Sequence, residues 1–219
     1  MSDLPRVLIT AGPTHEPIDS VRYLGNRSSG RLGCCLAEAA AGMGCRTTLL
    51  LGPTGRPAPE DSKLTTHRFQ SCAELQALLE AEWPEHDLLL MAAAVADYRP
   101  TTVRGEGKLR RTPGPMTLEL ESTPDLLAGL ARTSRPDQVR IGWALEPADQ
   151  LMENARAKLE RKQLDAIVAN PLATLESEDI EPVLMLADGS TDQPGPERVS
   201  KQDFAPWLLE RCLRIHATA

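Results

Sequence analysis

The sequence predicts an α/β fold: a Rossmann-like, mostly parallel sheet with helices on both faces, plus a basic flap and antiparallel edge strands. Three observations carry this. Short apolar runs alternate with helical patterns, the order that builds parallel strand–helix–strand units. The run from Asp87 to Ala94 is almost continuously apolar, as in a central strand covered on both faces. A long polar loop, Gly12 to Gly33, joins the first strand to the first helix, and loops of that length usually carry function.

Taken in order, Val7 to Thr10 is a buried strand, Leu32 to Met43 a helix closed by Gly42 and Gly44, and Arg46 to Leu51 a second strand. Gly52 to Pro59 is a loop rich in breakers, and Thr65 to Phe69 a short strand. Ser71 caps a helix over Ala73 to Glu82, with Glu74 completing a capping box. Asp87 to Ala94 follows as the central strand. Thr101 to Pro115 is polar and basic, and Met116 to Glu121 alternates like a half-exposed strand. Together, residues about 97–121 read as a flap leaving the main sheet. Thr123 caps a helix that runs through Ala131, with Pro124 in its first turn. Val139 to Ala144 is a strand, Pro147 to Lys162 a charged amphipathic helix, and Asp165 to Ala169 the next buried strand. Val183 to Ala187, the Asp188-Gly189 turn and a helix near Lys201 to Ile215 complete the chain, which reads as one domain over 1–219.

Composition bounds the function. The chain has 219 residues, 41% hydrophobic, which suits a packed globular core. Aromatics are only 3%, so the core should be aliphatic. A net charge of −7 argues against general nucleic-acid binding, so any anionic ligand needs local positive groups. Five scattered cysteines lack metal-ligand spacing and point to reduced thiols. No signal peptide and no 18-residue apolar run is present, which predicts a cytoplasmic protein without a membrane partner.

The loop that enters the first helix ends in Asn26, Arg27, Ser28, Ser29 and Gly30. A helix start offers unpaired N–H groups and a positive dipole end; serine hydroxyls and a glycine add donors and close approach. This suits a phosphate or carboxylate, although an ordinary helix cap would read alike. The spacing is neither G-x-G-x-x-G nor the P-loop pattern. Ala92 to Ala94 would admit a flat ligand or a close helix. The charges Arg104, Lys108, Arg110 and Arg111 fit a solvated loop as well as a site, and so do Lys158 and Lys162, four apart on one helical face.

The run Ile-Thr-Ala-Gly-Pro-Thr-His-Glu-Pro-Ile-Asp-Ser-Val-Arg-Tyr from Ile9, then Asn26 to Gly30, resembles the opening of the phosphopantothenate–cysteine ligases. Ala-Ala-Val-Ala-Asp-Tyr-Arg from Ala93 is a second match, and the resemblance covers nearly the whole chain. It implies a ligase of coenzyme A biosynthesis that joins 4′-phosphopantothenate to L-cysteine. The carboxylate attacks the α-phosphate of CTP, or of ATP in many eukaryotic relatives. Pyrophosphate leaves, and the cysteine amine then displaces the nucleoside monophosphate. Mg²⁺ is the implied cofactor.

By the same resemblance, Asn26 and Lys108 are catalytic. The nucleotide contacts are Gly12, Ser28, Ser29 and Gly30; Ala93, Ala94 and Asp97; Lys108; Thr123, Pro124, Asp125 and Leu126; and Trp143, Lys158 and Lys162. Asn26, Arg22 and Asn170 are substrate contacts, and the metal ligands stay open. Asp97 is assigned to the ribose, with a bound cation as the alternative, and Glu146 to no more than a capping or structural role. The flap is expected to build a two-fold dimer and to close a partner's site. The chain departs from the family pattern at Gly25, Thr123, Leu145, Gln163 and Pro171, and has arginine at 110 and 111 where the family has lysine. Bifunctional relatives carry a flavin-binding decarboxylase half ahead of this region. Whether this chain is standalone or excised stays open, as does CTP against ATP. The competing readings are a non-catalytic nucleotide-binding or regulatory relative, kept alive by the departures, and an NAD(P)-dependent oxidoreductase, which lacks its glycine fingerprint.

Overall fold

A computed structural model describes residues 4–102, 107–111, 113–195 and 198–218. Eight strands form the main sheet: β1 (Val7–Ala11), β2 (Thr47–Leu51), β3 (Leu64–Arg68), β4 (Leu88–Met91), β5 (Val139–Glu146), β6 (Ala166–Pro171), β7 (Val183–Leu186) and β8 (Thr191–Asp192). Their spatial order is β8-β7-β6-β5-β4-β1-β2-β3. The first six strands in sequence pair in parallel. Strands β7 and β8 add the expected antiparallel edge. Strand order therefore reverses between β1 and β4, where open α/β sheets form their ligand crevice.

The helices are α1 (Arg31–Gly42), α2 (Cys72–Glu82), α3 (Leu126–Leu130), α4 (Leu151–Arg161) and α5 (Lys201–His216). Alternate strand side chains face opposite ways, so β1 sends Val7 and Ile9 to a layer with α1 and α5. Leu8 packs on the other face with α2, α3 and α4. Both layers are mostly aliphatic, as composition suggests, yet Trp83, Phe69 and Phe204 are the largest fully buried side chains. All five cysteines are buried and free. Among the described residues no helix is long and apolar enough to cross a membrane.

Two differences from the sequence reading bear on function. The central strand stops at Met91, not Ala94. The helix expected from Thr123 begins at Leu126, capped by Asp125, whose carboxylate accepts from Ala128 N at 3.1 Å. Ser71 caps α2 as expected, accepting from Glu74 N, while the Glu74 carboxylate accepts from Gln70 N, one residue before the cap.

Outside the main sheet lie three small antiparallel ribbons. His15–Pro17 pairs with Tyr23–Gly25, Tyr98–Pro100 with Leu120–Ser122, and Asp179–Ile180 with Val199–Ser200.

Candidate functional site

The loops after β1 and β4 are held together by hydrogen bonds that explain why β4 ends early. Ala93 N donates to the buried Thr10 hydroxyl at 3.0 Å, and Ala94 N to Gly12 O at 2.9 Å. In return, Thr14 N donates to Ala94 O, and the Thr14 hydroxyl accepts from Ala96 N at 3.0 Å. Asn26 reaches across, with Nδ2 donating to Val95 O at 2.9 Å. Thr123 ties in the third wall: its hydroxyl donates to Ala96 O at 2.6 Å and its N–H to Asp97 O. That bond takes Thr123 away from the helix cap. Buried backbone groups need partners, and here those partners fix the cleft wall.

The start of α1 forms a second wall. It has no side-chain cap; Gly30 stands before it at φ +69°. Gly12 has φ +81°, and a Cβ on either glycine would press on the Thr54 methyl, at 2.9 Å from position 12 and 3.0 Å from position 30. Both glycines are thus required by backbone conformation and by space. One turn on, a Cβ at Gly33 would fall 2.3 Å from the Ala11 Cβ, so this glycine lets α1 pack close against β1. Uncapped N–H groups at a helix start favour an anion.

The opposite wall carries Lys158 and Lys162 of α4 and its C-terminal turn. Lys162 Nζ binds the Asp125 carboxylate at 2.8 Å. Burial pushes the Asp125 carboxyl up, but the Lys162 and Ala128 hydrogen bonds and the two lysine charges outweigh it and hold the group below its ordinary range. Burial and the neighbouring Lys162 lower the pKa of Lys158. Among the described residues Lys158 makes no ion pair, so the pair leaves positive charge facing the cleft. The turn that positions them is braced by Arg140, whose guanidinium donates to Lys162 O and Gln163 O. Gln163 sits at φ +51°, a conformation asparagine tolerates more readily, which gives the departure at this position a physical meaning. Glu146 lines the cavity and accepts from Asn154 Nδ2 at 3.1 Å.

These walls enclose one cavity of about 650 Å³ at the C-terminal strand ends, within the size range of small-molecule sites. Of the predicted contacts, Asn26, Ser28, Ser29 and Gly30 line it on the α1 side, and Ala93, Ala94 and Asp97 line the β4 loop. Thr123, Pro124, Asp125 and Leu126 line the third wall, and Trp143, Lys158, Lys162 and Asn170 close it. The indole N–H of Trp143 is buried without a partner among the described residues. Asn170 is present, but its amide is committed: Nδ2 donates to the Thr174 hydroxyl and Oδ1 accepts from Glu181 N at 3.1 Å. It braces the chain beyond β6. Gly12 shapes the wall from behind, beside Thr54 and Gly30.

Besides Gly12, two predicted residues do not line this cavity. Lys108 is exposed and Arg22 half-exposed, in a separate cluster around the buried Asp19. Asp19 accepts from Arg22 Nε at 3.0 Å and from Leu109 N at 2.9 Å, while Arg22 donates to Leu109 O at 2.8 Å. The Arg22 hydrogen bond, helped by three backbone N–H groups, holds the Asp19 carboxyl far below its ordinary range. Gly107 N donates to the Ser20 hydroxyl at 3.0 Å. Residues 107–109 are therefore pinned to the first loop of their own chain, and Lys108 does not line its own cavity. Arg104 lies outside the described residues.

Sequence reasoning missed Thr10, Thr14 and Lys201. A hydroxyl at the end of a buried strand is a signal for the first, but its partners are some eighty residues away. Lys201 lies in the cavity wall although it is the first residue of a distant helix.

Comparison with known proteins agrees with this architecture. The family model for the DNA/pantothenate metabolism flavoprotein C-terminal domain matches residues 3–215. A cysteine/cysteine sulfinic acid decarboxylase from an unknown prokaryotic organism is 45% identical over 168 residues, 76% of this chain and 46% of that protein. The coenzyme A biosynthesis bifunctional protein CoaBC of Vibrio cholerae is 41% identical over 170 residues, 77% of this chain and 42% of that protein. The chain thus spans less than half the length of these relatives. The solved C-terminal domain of a coenzyme A biosynthesis bifunctional protein CoaBC superposes with a TM-score of 0.82 at 31% identity, covering 98% of this chain and 97% of that domain. The chain belongs to the family of DNA/pantothenate metabolism flavoprotein C-terminal domains.

Proposed function

We propose that the chain is a ligase of coenzyme A biosynthesis, joining 4′-phosphopantothenate and L-cysteine through an acyl-nucleotidylate. The observation that carries this is the convergence of the Asn26–Gly30 loop, the Ala93–Asp97 loop and the Lys158–Lys162 pair on one cleft at the strand-order reversal. The similarity to coenzyme A biosynthesis proteins supports it. The decarboxylase name of one relative describes a protein more than twice as long as the matched segment, so its activity is not transferred here.

A carboxylate resists an amine because its oxygen is a poor leaving group, and transfer to a nucleotide α-phosphate overcomes this. The chain's part is positioning and charge. Ser28, Ser29 and the α1 N–H groups receive phosphate oxygens, and Lys158 offers an ammonium that makes no ion pair among the described residues. Asp97 takes the ribose. Trp143 presents a π-face to the base. Asn26 keeps a carbonyl oxygen to accept from the incoming amine while its Nδ2 holds Val95 O. CTP is the favoured nucleotide, ATP the alternative. Mg²⁺ bound with the triphosphate would screen its phosphate charge.

Lys108 completes the site from a second copy. The ribbons beside it expose Val21, Tyr23, Tyr98 and Leu120, apolar surface that a two-fold dimer would cover. The direct assay is pyrophosphate release with phosphopantothenate, cysteine and Mg²⁺, comparing CTP with ATP. Release that requires phosphopantothenate is expected. A folded protein that binds nucleotide but releases none would establish the non-catalytic reading instead.

A further inference from the structure

Lys201 is in an unfavourable place for a lysine with only a structural task. It opens α5, where the helix dipole presents its positive end. It is 8% exposed, so its ammonium has lost most of its water. Its charged neighbours include Arg31 and Arg56, which repel it, and burial with those charges lowers its pKa despite the opposing pull of Asp179. Among the described residues no carboxylate pairs with it; Nζ donates to the carbonyl of Ser177. Lys201 lines the same cavity as Ser28, Ser29 and the start of α1.

Arg31, the first residue of α1, faces the same region. Its guanidinium pairs with Glu178, a side chain that is 77% exposed. Lys201 and Arg31 thus hold two successive residues of one segment, Ser177 and Glu178, and Lys201 N donates to Glu178 O at 3.1 Å. The preceding Leu175 and Glu176 line the cavity. Both cations have partners that an anion can replace: a neutral carbonyl and a solvated carboxylate.

We propose that Lys201, assisted by Arg31, is an anion-binding residue that holds the β- and γ-phosphates of the nucleoside triphosphate at the α1 end of the cleft. This rests on the ligase reading above. The Lys158–Lys162 pair forms the opposite pole, so the cavity is cationic at both ends within a chain of net charge −7. A charge-assisted bond to phosphate repays the desolvation that Lys201 already carries. A nucleoside monophosphate lacks the two outer phosphates and gains nothing from it.

The test is calorimetric titration of wild type, Lys201→Met and Arg31→Gln with Mg·CTP, Mg·ATP and the two monophosphates, with melting curves of each unliganded protein. Methionine fills much of the lysine volume without its charge. Lys201→Met is expected to weaken the preferred triphosphate about 10- to 100-fold, to change monophosphate affinity less than about twofold, and to leave unliganded melting equal or higher. Arg31→Gln, at a more exposed position, is expected to follow with a smaller loss for triphosphate alone. Equal losses for tri- and monophosphate, a triphosphate loss below about twofold, or a lower unliganded melting point would make Lys201 structural and overturn the inference. In each of those cases wild-type triphosphate binding would leave the ligase reading standing. A wild type that binds neither triphosphate would refute both.

Discussion

The cleft and the basic segment around Lys108 are built by opposite means. The cleft walls grow from strands β1, β4 and β5, whose apolar side chains are almost all buried. Each buried Leu, Val or Ile is worth about 1.5–3 kcal/mol, so the cleft inherits a rigid frame. Loop-to-loop bonds from Thr10, Thr14, Asn26 and Thr123 then fix its rim. The Leu120–Ser122 ribbon strand is wholly exposed and buries nothing comparable. Its neighbour, residues 107–109, is fastened by one buried carboxylate, Asp19, and a few backbone bonds. The contrast is between a cleft framed by buried strands and a basic segment held by a few polar bonds; on the proposed ligase function, binding would fall to the first and activation to the second.

The comparison is broken most severely at its two ends. Lys108→Gln should lower nucleotidylate formation about 100- to 1,000-fold while triphosphate affinity, set by the cleft, changes little. An equal loss of affinity would place Lys108 in the ground-state binding site. Asn26→Asp should allow pyrophosphate release but stall aminolysis, so that quench analysis finds accumulated acyl-nucleotidylate. Normal product formation would remove Asn26 from the second step.

The anchor gives a smaller and more specific effect. Asp19→Asn should lower kcat/KM about 10- to 100-fold through misplacement of Lys108, with nucleotide binding retained. The sign of its pH dependence follows from the lowered Asp19 pKa. Its stabilising contribution is fully present above the ordinary aspartate range and is lost only as pH falls through the lower folded-state value. The variant should therefore lack that acid-side stability change, and an identical acid profile for both proteins would contradict the anchor. Smallest of all, Thr10→Val leaves Ala93 N without its buried acceptor. It should cost about 1–3 kcal/mol in denaturant unfolding, with the flap unaffected.

Lys158 sharpens the same contrast. Its pKa lies below the ordinary lysine value, so triphosphate affinity should begin to fall at a pH lower than an ordinary lysine would allow. Lys158→Met should remove that alkaline step along with about tenfold of affinity. A step that survives the substitution would assign it elsewhere.

The parallel order, the edge hairpin, the Asn26–Gly30 loop and the lysine pair were legible because local periodicity or spacing encodes them. Asp87 to Ala94 read one strand too long, since its last three residues stay apolar while their backbone turns to Thr10 and Gly12. Thr123 looked like a helix cap because Thr-Pro-Asp offers two capping side chains; a bond to Ala96, distant in sequence, left the cap to Asp125. Lys201 carried no local sign of its place in the cavity wall, since that place depends on α5 packing against α1. Lys108 shows the opposite limit: its motif is legible, yet its own cleft does not contain it.

The most direct test is complementation between Lys108→Gln and Asn26→Asp, each inactive alone, mixed and allowed to exchange subunits. If a cleft works with the partner's flap, half the dimers are mixed and each holds one intact site, giving about a quarter of wild-type ligase activity. That recovery is what the two-copy account predicts. Activity that never rises above the two parents, under conditions where subunit exchange is demonstrated, would contradict it.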